Sequence, residues 1–493
     1  MVKKKKRKTT RDRWSSHWIF LFAAIGSAVG IGNVWRFPYL AGKYGGGAFL
    51  IPYLIVLFLL GIPILILEYA LGRRMQRGAV GAFGKINSKL KGVGVNAVFV
   101  GFIVCAYYSV VMAWSLIYFL HSFRVSWAPN PKEFFFTNVL EISSNIRFLD
   151  GINWIIFAAL IAVWVLIYFC VWKGTKSVGK VVMITMPLPV LLIIVMAIRG
   201  ITLPGSLEGI LFYLTPNFRA LFDIQVWNAA ISQIFFTLSI AFGIMIAYAS
   251  FNAEMQIKKD AWIIAVINSA ISLIAGFAVF ATLGFMAARQ GLPVSEIAAA
   301  GPSLAFIAFP QALSLMPFAA LFSLIFFITL ISLAIDSAFS LVESVSTVFS
   351  DKFKKLSKPW IAAGVCFVGF LTGIIFTTRA GMYFLDLVDH FVTNYGLVLV
   401  GVAECVVIGW FYGAPRLRRY INRDADWKLG KWWDFSIKYL CPAVLLYLVI
   451  AQFVVDVTEN YGGYPDWAIW IGWLVVLAPI AVSVVISLWP GKR

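Results

Sequence analysis

Long apolar stretches alternate with short polar connections along the whole chain. A transmembrane helix needs about 20 consecutive, mostly apolar residues, and twelve stretches meet this requirement. The predicted spans are residues 16–40, 47–73, 92–121, 152–172, 178–199, 226–251, 261–287, 318–349, 359–378, 384–412, 435–456 and 467–489. The pattern therefore predicts an all-α, polytopic membrane protein with twelve transmembrane helices.

The composition agrees with this prediction. Of the 493 residues, 61% are hydrophobic and only 13% are charged, whereas soluble domains carry about 25% charged residues. This excludes an ordinary soluble enzyme, a disordered protein and a collagen-like fibre. The five cysteines form no CxxC pair and the three histidines lie far apart, so we predict neither disulfides nor a zinc site.

The net charge of +19 reflects membrane topology rather than nucleic-acid binding, since basic residues concentrate in every second connection. Lys352, Lys354, Lys355 and Lys358, for example, follow the eighth span. Cytoplasmic loops carry an excess of Lys and Arg. We therefore expect both termini in the cytoplasm, a basic tail over residues 1–15 near anionic lipid, and a location in the plasma membrane.

Two predicted spans contain segments that weaken a helix. The first contains the glycine-rich segment 26–33, and the sixth contains segment 237–243. Each glycine costs a helix about 1 kcal/mol relative to alanine. A lone Gly-xxx-Gly pattern more often serves helix packing, but paired interruptions in corresponding spans indicate a transporter site at the middle of the membrane.

Several motifs resemble the neurotransmitter:sodium symporter family, in particular its prokaryotic amino-acid transporters. GSAVGIGNVWRFPYL and YGGGAFLIPY resemble its first-helix signature, and AYYSVVMAW, SQIFFTLSIAFG and LAIDSAF follow in order in the third, sixth and eighth spans. The resemblance implies sodium-driven uptake of amino acids or amines. It also implies a transport core over 16–412, made of inverted halves of five helices (about 16–199 and 226–412), followed by two additional helices over 435–489.

The resemblance implies two sodium sites. The first would consist of Ala28, Asn33, Thr237 and Asn268. The second would consist of Gly26, Val29, Leu333, Asp336 and Ser337. Hard cations prefer such oxygen ligands, and an ionisable residue such as Asp336 inside an apolar span is a functional candidate by default.

The resemblance also implies a substrate pocket between the first, third, sixth and eighth spans. Its residues would be Ser27, Ala28, Gly30, Gly32, Val104, Tyr108, Phe236, Thr237, Ser239, Phe242, Ser337 and Leu341. The substrate carboxylate would meet the backbone N–H groups of Gly30–Gly32 and the Tyr108 hydroxyl. Amine transporters of the family carry Asp where this chain has Gly30, so we expect a substrate with its own carboxylate. Because the implied pocket is mostly apolar and contains no acid or base, we expect a neutral, hydrophobic amino acid.

Gates and a chloride site are implied in the same way. The outer gate would be Arg36 and Asp389 with Phe236 as a lid, and the inner gate would be Arg11, Trp14 and Asp351. Phe251 replaces a gating Tyr of many relatives, which puts one hydrogen bond of the inner gate in doubt. Chloride would be held by Tyr53, Gln233, Thr237, Asn268 and Ser272. A polar cluster without an ion is the alternative.

Other functions remain as alternatives at this point. A proton-coupled or uncoupled amino-acid transporter could share the fold, but the residues of the sodium sites are present. A membrane enzyme would need a catalytic cluster, and a channel would show pore-lining rings in an oligomer. We read Glu68, Glu343 and Glu404 as structural carboxylates bonded to backbone, and we expect a monomer or a weak homodimer.

Overall fold

The computed structural model describes residues 12–252, 256–298, 304–423 and 425–489. Within these ranges the regular structure is helical throughout. The β contacts there are two isolated bridges, Gly46 with Pro216 and Ile152 with Thr378. The predicted all-α fold class is confirmed.

Helix α1 is divided into α1a (His17–Ala28) and α1b (Ile31–Lys43), which meet at an angle of 56°. Helix α6 is divided into α6a (Ile224–Thr237) and α6b (Ile244–Ser250). Among the described residues, ten further helices are long and apolar enough to cross a membrane: α2 (Gly47–Met75), α3 (Ser88–Ser122), α4 (Trp154–Val171), α5 (Thr175–Ile201), α7 (Ile257–Gln290), α8 (Ala319–Lys352), α9 (Lys358–Thr377), α10 (Gly381–Ile421), α11 (Trp432–Gly463) and α12 (Asp466–Leu488). These elements correspond in order to the twelve predicted spans.

The break in α1 lies at Val29 and Gly30, whose backbones are extended. The Gly30 N–H donates to Asn33 Oδ1 at 2.9 Å, so this side chain satisfies a donor that the helix has lost. Gly26 permits close packing one turn earlier: a Cβ there would lie 2.5 Å from Asp336 Oδ2. The glycines therefore serve both the break and the approach of α8.

The break in α6 runs from Leu238 to Gly243 and contains two non-glycine residues in the left-handed region, Ser239 (φ 52°) and Ala241 (φ 66°). Such conformations cost free energy and persist only when neighbours hold them. Glu68 on α2 accepts a hydrogen bond from the Ala241 N–H at 2.6 Å, as we expected of a structural carboxylate. Glu404 on α10 is buried in contact with Glu68.

Both breaks lie deep inside the helix bundle, between α3 and α8. Ser239 Oγ donates to the Ser27 carbonyl at 2.8 Å, which joins the two breaks directly. The breaks occur in the first and sixth helices, as an inverted repeat of five helices requires. The predicted boundaries of the halves stay a prediction, and residues 1–11 of the predicted basic tail lie outside the described residues.

Candidate substrate and ion site

A small cavity separates the two breaks from α3 and α8. It is lined by Ala28, Gly30, Gly32, Asn33, Val104, Tyr108, Phe236, Thr237, Ser239, Phe242, Ile244, Ser337 and Leu341. All of the predicted substrate-binding residues except Ser27 are in this set. The cavity measures about 20 Å³, which is room for about one water molecule. A substrate must therefore fit closely against the walls or move them.

Ser27 lies behind the wall of the cavity. Its hydroxyl donates to Ser340 Oγ at 2.8 Å, and its carbonyl accepts from Ser239 and more distantly from Ser337. Ser27 can therefore act on a substrate only through Ser239 and Ser337. Ser340 was missed by the sequence prediction, because nothing in the eighth span shows which of its serines faces α1.

One end of the cavity is suited to an anion. The Ile31 N–H, at the start of α1b, donates to the Tyr108 hydroxyl oxygen at 2.9 Å. Helix N-termini favour negative charge, and the Tyr108 hydroxyl keeps its own proton to donate. A Cβ at Gly30 would lie 2.5 Å from Ser337 Oγ and 2.9 Å from the Tyr108 hydroxyl. No side chain fits at Gly30 unless these groups move.

The residues of the first predicted sodium site meet beside this end. Asn33 Nδ2 donates to Asn268 Oδ1 at 2.9 Å, and Thr237 Oγ1 donates to the same oxygen at 3.2 Å. Ala28 lines the adjoining cavity. The four residues are buried and offer neutral oxygen atoms as ligands. Such ligands suit a hard monovalent cation.

The second predicted sodium site surrounds Asp336, which is 1% exposed. Its Oδ2 faces Gly26, as the close approach described above requires. Its Oδ1 accepts a hydrogen bond from Thr185 of α5 at 2.5 Å. Val29 and Leu333 are buried nearby on α1 and α8. The sequence prediction missed Thr185. A hydroxyl residue inside an apolar span could have marked it as a candidate partner for a buried polar group.

The five predicted chloride residues are buried, and two of them, Thr237 and Asn268, also belong to the first predicted sodium site. Ser272 Oγ accepts from Asn33 Nδ2 at 2.8 Å, and Gln233 Nε2 donates to the Gly32 carbonyl at 3.2 Å. The Tyr53 hydroxyl donates to Ser269 Oγ at 3.1 Å, a residue the sequence prediction missed. Asn268 Nδ2 and Gln233 Oε1 have no hydrogen-bond partner among the described residues. Buried amides without partners are costly.

The predicted outer gate separates the cavity from a larger vestibule of about 390 Å³. Arg36 Nη2 lies 4.0 Å from Asp389 Oδ2 and donates to Ser232 Oγ at 2.7 Å. Tyr107 donates to Asp389 at 2.7 Å. The Arg36 guanidinium also lies 5.2 Å from the ring centre of Phe236. Phe236 lines both the cavity and the vestibule, which is the position expected of a lid.

Polar residues of α10 and α11 line the vestibule and form a cluster that Tyr464, just after α11, completes. His390 Nε2 lies 2.8 Å from Asp456 Oδ2. Asp386 accepts hydrogen bonds from the Tyr461 and Tyr464 hydroxyls at 3.1 and 2.9 Å. Burial raises the pKa of Tyr464, so this hydroxyl stays a neutral donor. The sequence does not reveal this cluster, because its members are far apart in the chain and form no motif.

At the end of the bundle opposite the vestibule, Trp14 packs against α6b. Its indole N–H donates to the Tyr248 carbonyl at 3.0 Å, and its ring packs edge-on against Tyr248 and Phe251. Asp351 accepts from the Gly78 N–H at 2.8 Å. The predicted partner Arg11 lies outside the described residues. Phe251 therefore contributes ring packing at this end of the bundle.

The sequence comparisons agree with one another. A model of the Sodium:neurotransmitter symporter family matches residues 11–130 and 126–490. An uncharacterised sodium-dependent transporter of Methanocaldococcus jannaschii is 39% identical over 480 residues, covering 97% of each chain. The chain belongs to the sodium:neurotransmitter symporter family.

Further relatives in the sodium:neurotransmitter symporter family have named substrates. The human sodium- and chloride-dependent GABA transporter 2 is 38% identical and covers 97% of this chain and 86% of its own. The rat sodium- and chloride-dependent taurine transporter is 37% identical and covers 95% of this chain and 82% of its own. As a member of this family, the protein is a multi-pass membrane symporter that moves a small molecule with sodium. Membership excludes the enzyme and channel alternatives.

Proposed function

We propose that the protein is a sodium-coupled importer of a neutral amino acid with an apolar side chain. The observation that carries this proposal is the lining of the central cavity. Among its described residues there is no Asp, Glu, Lys or Arg. The two charges of a zwitterion would therefore be met by a helix N-terminus, hydroxyls, carbonyls and a sodium ion rather than by protein charges.

The carboxylate end is supported by Tyr108 and the start of α1b: the Ile31 N–H donates to the Tyr108 oxygen, so the Tyr108 hydroxyl proton would be the donor to the carboxylate. The amino end would face the Ser239 hydroxyl and carbonyls of the α6 break. Val104, Phe242 and Leu341 supply apolar surface for the side chain. A bare amine would find no counter-charge at Gly30, which is why an amine substrate is disfavoured.

A GABA- or taurine-like ω-amino acid is the second candidate. Relatives that cover almost the whole chain are named for these substrates. Such molecules are also zwitterions and would satisfy the same anion end of the cavity. They would use the apolar walls less, because they lack a branched side chain. The apolar walls therefore favour the first candidate.

Sodium would enter with the substrate at two sites. At the first site the substrate carboxylate would complete the oxygen shell of Asn33, Thr237 and Asn268, so that each ligand raises the affinity for the other. At the second site Asp336 would balance the ion's charge. Chloride would bind near Ser272, where Asn268 Nδ2, which has no partner among the described residues, supplies a buried donor and position 272 itself carries a serine rather than an acid. We propose both termini on the cytoplasmic side of the plasma membrane and a monomer or weak dimer.

The positions of the candidate gates support transport by alternating access. Phe236 and the pair Arg36–Asp389 would close the cavity toward the vestibule, and Trp14 would close it toward the other side. Since Phe236 contacts both the cavity and Arg36, a bound substrate would favour closure of the outer gate. The transporter would then never form a continuous pore.

Uptake into liposomes tests the proposal. Purified protein is reconstituted, and labelled leucine, valine, GABA, taurine, lysine, glutamate and dopamine are supplied with an inward sodium gradient. We expect uptake of leucine or valine, loss of uptake when choline replaces sodium, and a reduced rate when gluconate replaces chloride. Asp336→Asn should lose sodium dependence, while the exposed Asp150→Asn serves as control. Preference for lysine, glutamate or dopamine would refute the pocket assignment.

A further inference from the structure

A chain of hydrogen bonds beside the vestibule connects α6a to α10 by way of α11. Asn228 Nδ2 of α6a donates to Gln452 Oε1 at 3.2 Å, and Gln452 Nε2 donates to Asp456 Oδ1 at 3.0 Å. Asp456 Oδ2 accepts from the Tyr395 hydroxyl at 2.5 Å and lies 2.8 Å from His390 Nε2, both on α10. Since α11 follows the ten helices of the predicted transport core, a helix outside that core joins two helices inside it.

The Asp456 carboxylate determines the direction of these hydrogen bonds. Asp456 is buried, and three donors converge on it as on an ionised carboxylate, which can only accept. The Gln452 side chain must therefore turn its NH2 group toward Asp456, which leaves Gln452 Oε1 directed at Asn228. On the other side, Asn394 Nδ2 lies 3.2 Å from His390 Nδ1, which suits a neutral imidazole with its proton on Nε2. The donors on both sides thus point toward Asp456.

The two helices that this chain joins carry the candidate outer gate. On α6a, Asn228 and Phe236 are eight residues apart, a spacing that places both near one face of a helix, and both line the vestibule. The bond from Asn228 to α11 therefore holds the face of α6a that carries the lid. On α10, His390 directly follows Asp389, the acid paired with Arg36. The chain of hydrogen bonds thus fixes the spacing between the lid and the acid of the gate.

We propose that Gln452, oriented by Asp456, is a positioning residue for the outer gate: it restrains α6a against α10 and so slows opening of the gate above a bound substrate. This inference rests on the proposed function, because the gate and its substrate are defined there. Movement of α6a away from α11 would break the Asn228–Gln452 hydrogen bond and separate two buried amides from each other. Leaving buried polar groups without partners is costly, so a variant that lacks this bond opens more readily.

Substrate dissociation from detergent-purified protein is the first test, at saturating sodium and with labelled leucine or valine as the probe. Asn228→Leu and Gln452→Leu each remove the bond between α6a and α11, and we expect dissociation to become about fivefold faster, as loss of one hydrogen bond implies. The double variant should release the probe no faster than Gln452→Leu alone, because both substitutions remove the same interaction. Thr282→Val is the matched control: Thr282 is buried on α7 and donates to the Ala278 carbonyl at 2.7 Å, within one helix.

Hydrogen–deuterium exchange gives a readout that needs no substrate. Peptides spanning residues 224–237 should exchange faster in Asn228→Leu and Gln452→Leu than in the wild type, and at the wild-type rate in Thr282→Val. Dissociation at the wild-type rate from both single variants would overturn the inference. Additive effects in the double variant, or an equal acceleration in Thr282→Val, would overturn it as well.

The two measurements also separate this inference from the proposed function. If the wild type binds neither leucine nor valine, the proposed function fails. The exchange of residues 224–237 then decides the restraint by itself: faster exchange in both single variants would support it, and wild-type exchange would overturn it.

Discussion

Replacing Tyr108 by Phe removes a hydroxyl that has two roles in the proposed site. In the structure its oxygen accepts the Ile31 N–H at 2.9 Å in a buried environment. Losing that acceptor leaves a buried donor unsatisfied, at a cost of about 1–3 kcal/mol to the folded protein. In the substrate complex the same hydroxyl would donate to the carboxylate. Hydrogen bonds to charged groups contribute about 1.5–3 kcal/mol, so affinity should fall about 10- to 150-fold.

The assay is equilibrium binding of the labelled amino acid that liposome uptake identifies, at saturating sodium. Tyr118→Phe is the matched control, because Tyr118 lies on the same helix, is buried, and donates to the Phe306 carbonyl at 2.6 Å, outside the cavity lining. Both variants lose a buried hydroxyl hydrogen bond, and only Tyr108→Phe should lose affinity for substrate.

Substrate binding by Tyr108→Phe within twofold of wild type would refute the placement of the carboxylate at the start of α1b. An equal loss of affinity in Tyr118→Phe would refute it as well, because the effect would then reflect general damage to α3. Thermal unfolding of both variants separates loss of stability from loss of binding, since the stability cost arises without substrate.

Three further changes test the ion sites and the inner gate. Ser272→Glu supplies a fixed negative charge among the buried amides, in the place proposed for chloride. The ratio of the uptake rate in chloride to the uptake rate in gluconate should therefore approach one. An unchanged ratio would contradict the chloride site. Gly26→Ala places a Cβ 2.5 Å from Asp336 Oδ2, and the sodium concentration for half-maximal uptake should rise about tenfold. An unchanged dependence of uptake on sodium concentration would contradict a sodium site at this position. Trp14→Ala removes the hydrogen bond to the Tyr248 carbonyl and the ring packing, and burial of such a ring contributes about 3 kcal/mol or more. Efflux of substrate from preloaded liposomes should therefore be faster than in the wild type. Substrate efflux at the wild-type rate would exclude a gating role.

Sequence alone was sufficient for the features that are local in the chain. The lengths of the apolar stretches determined the helices, and the glycines near Gly30 and the segment ending at Gly243 marked both breaks. Helix length and glycine content act through the backbone of one segment. They can therefore be recognised in the sequence without knowing which residues pack against that segment. The match between the predicted pocket and the cavity has another origin: the motifs come from a family whose members share the arrangement.

Tertiary structure alone decided which side chains meet across helices. Thr185 and Asp336 are 151 positions apart, and His390 meets Asp456 across two helices. Ser27 turns to Ser340 instead of the cavity. In a membrane protein the lipid-facing and the buried faces of a helix are both apolar, so the hydrophobic pattern does not reveal how a helix is rotated. Packing against neighbouring helices sets that rotation, and with it the residues that reach the site.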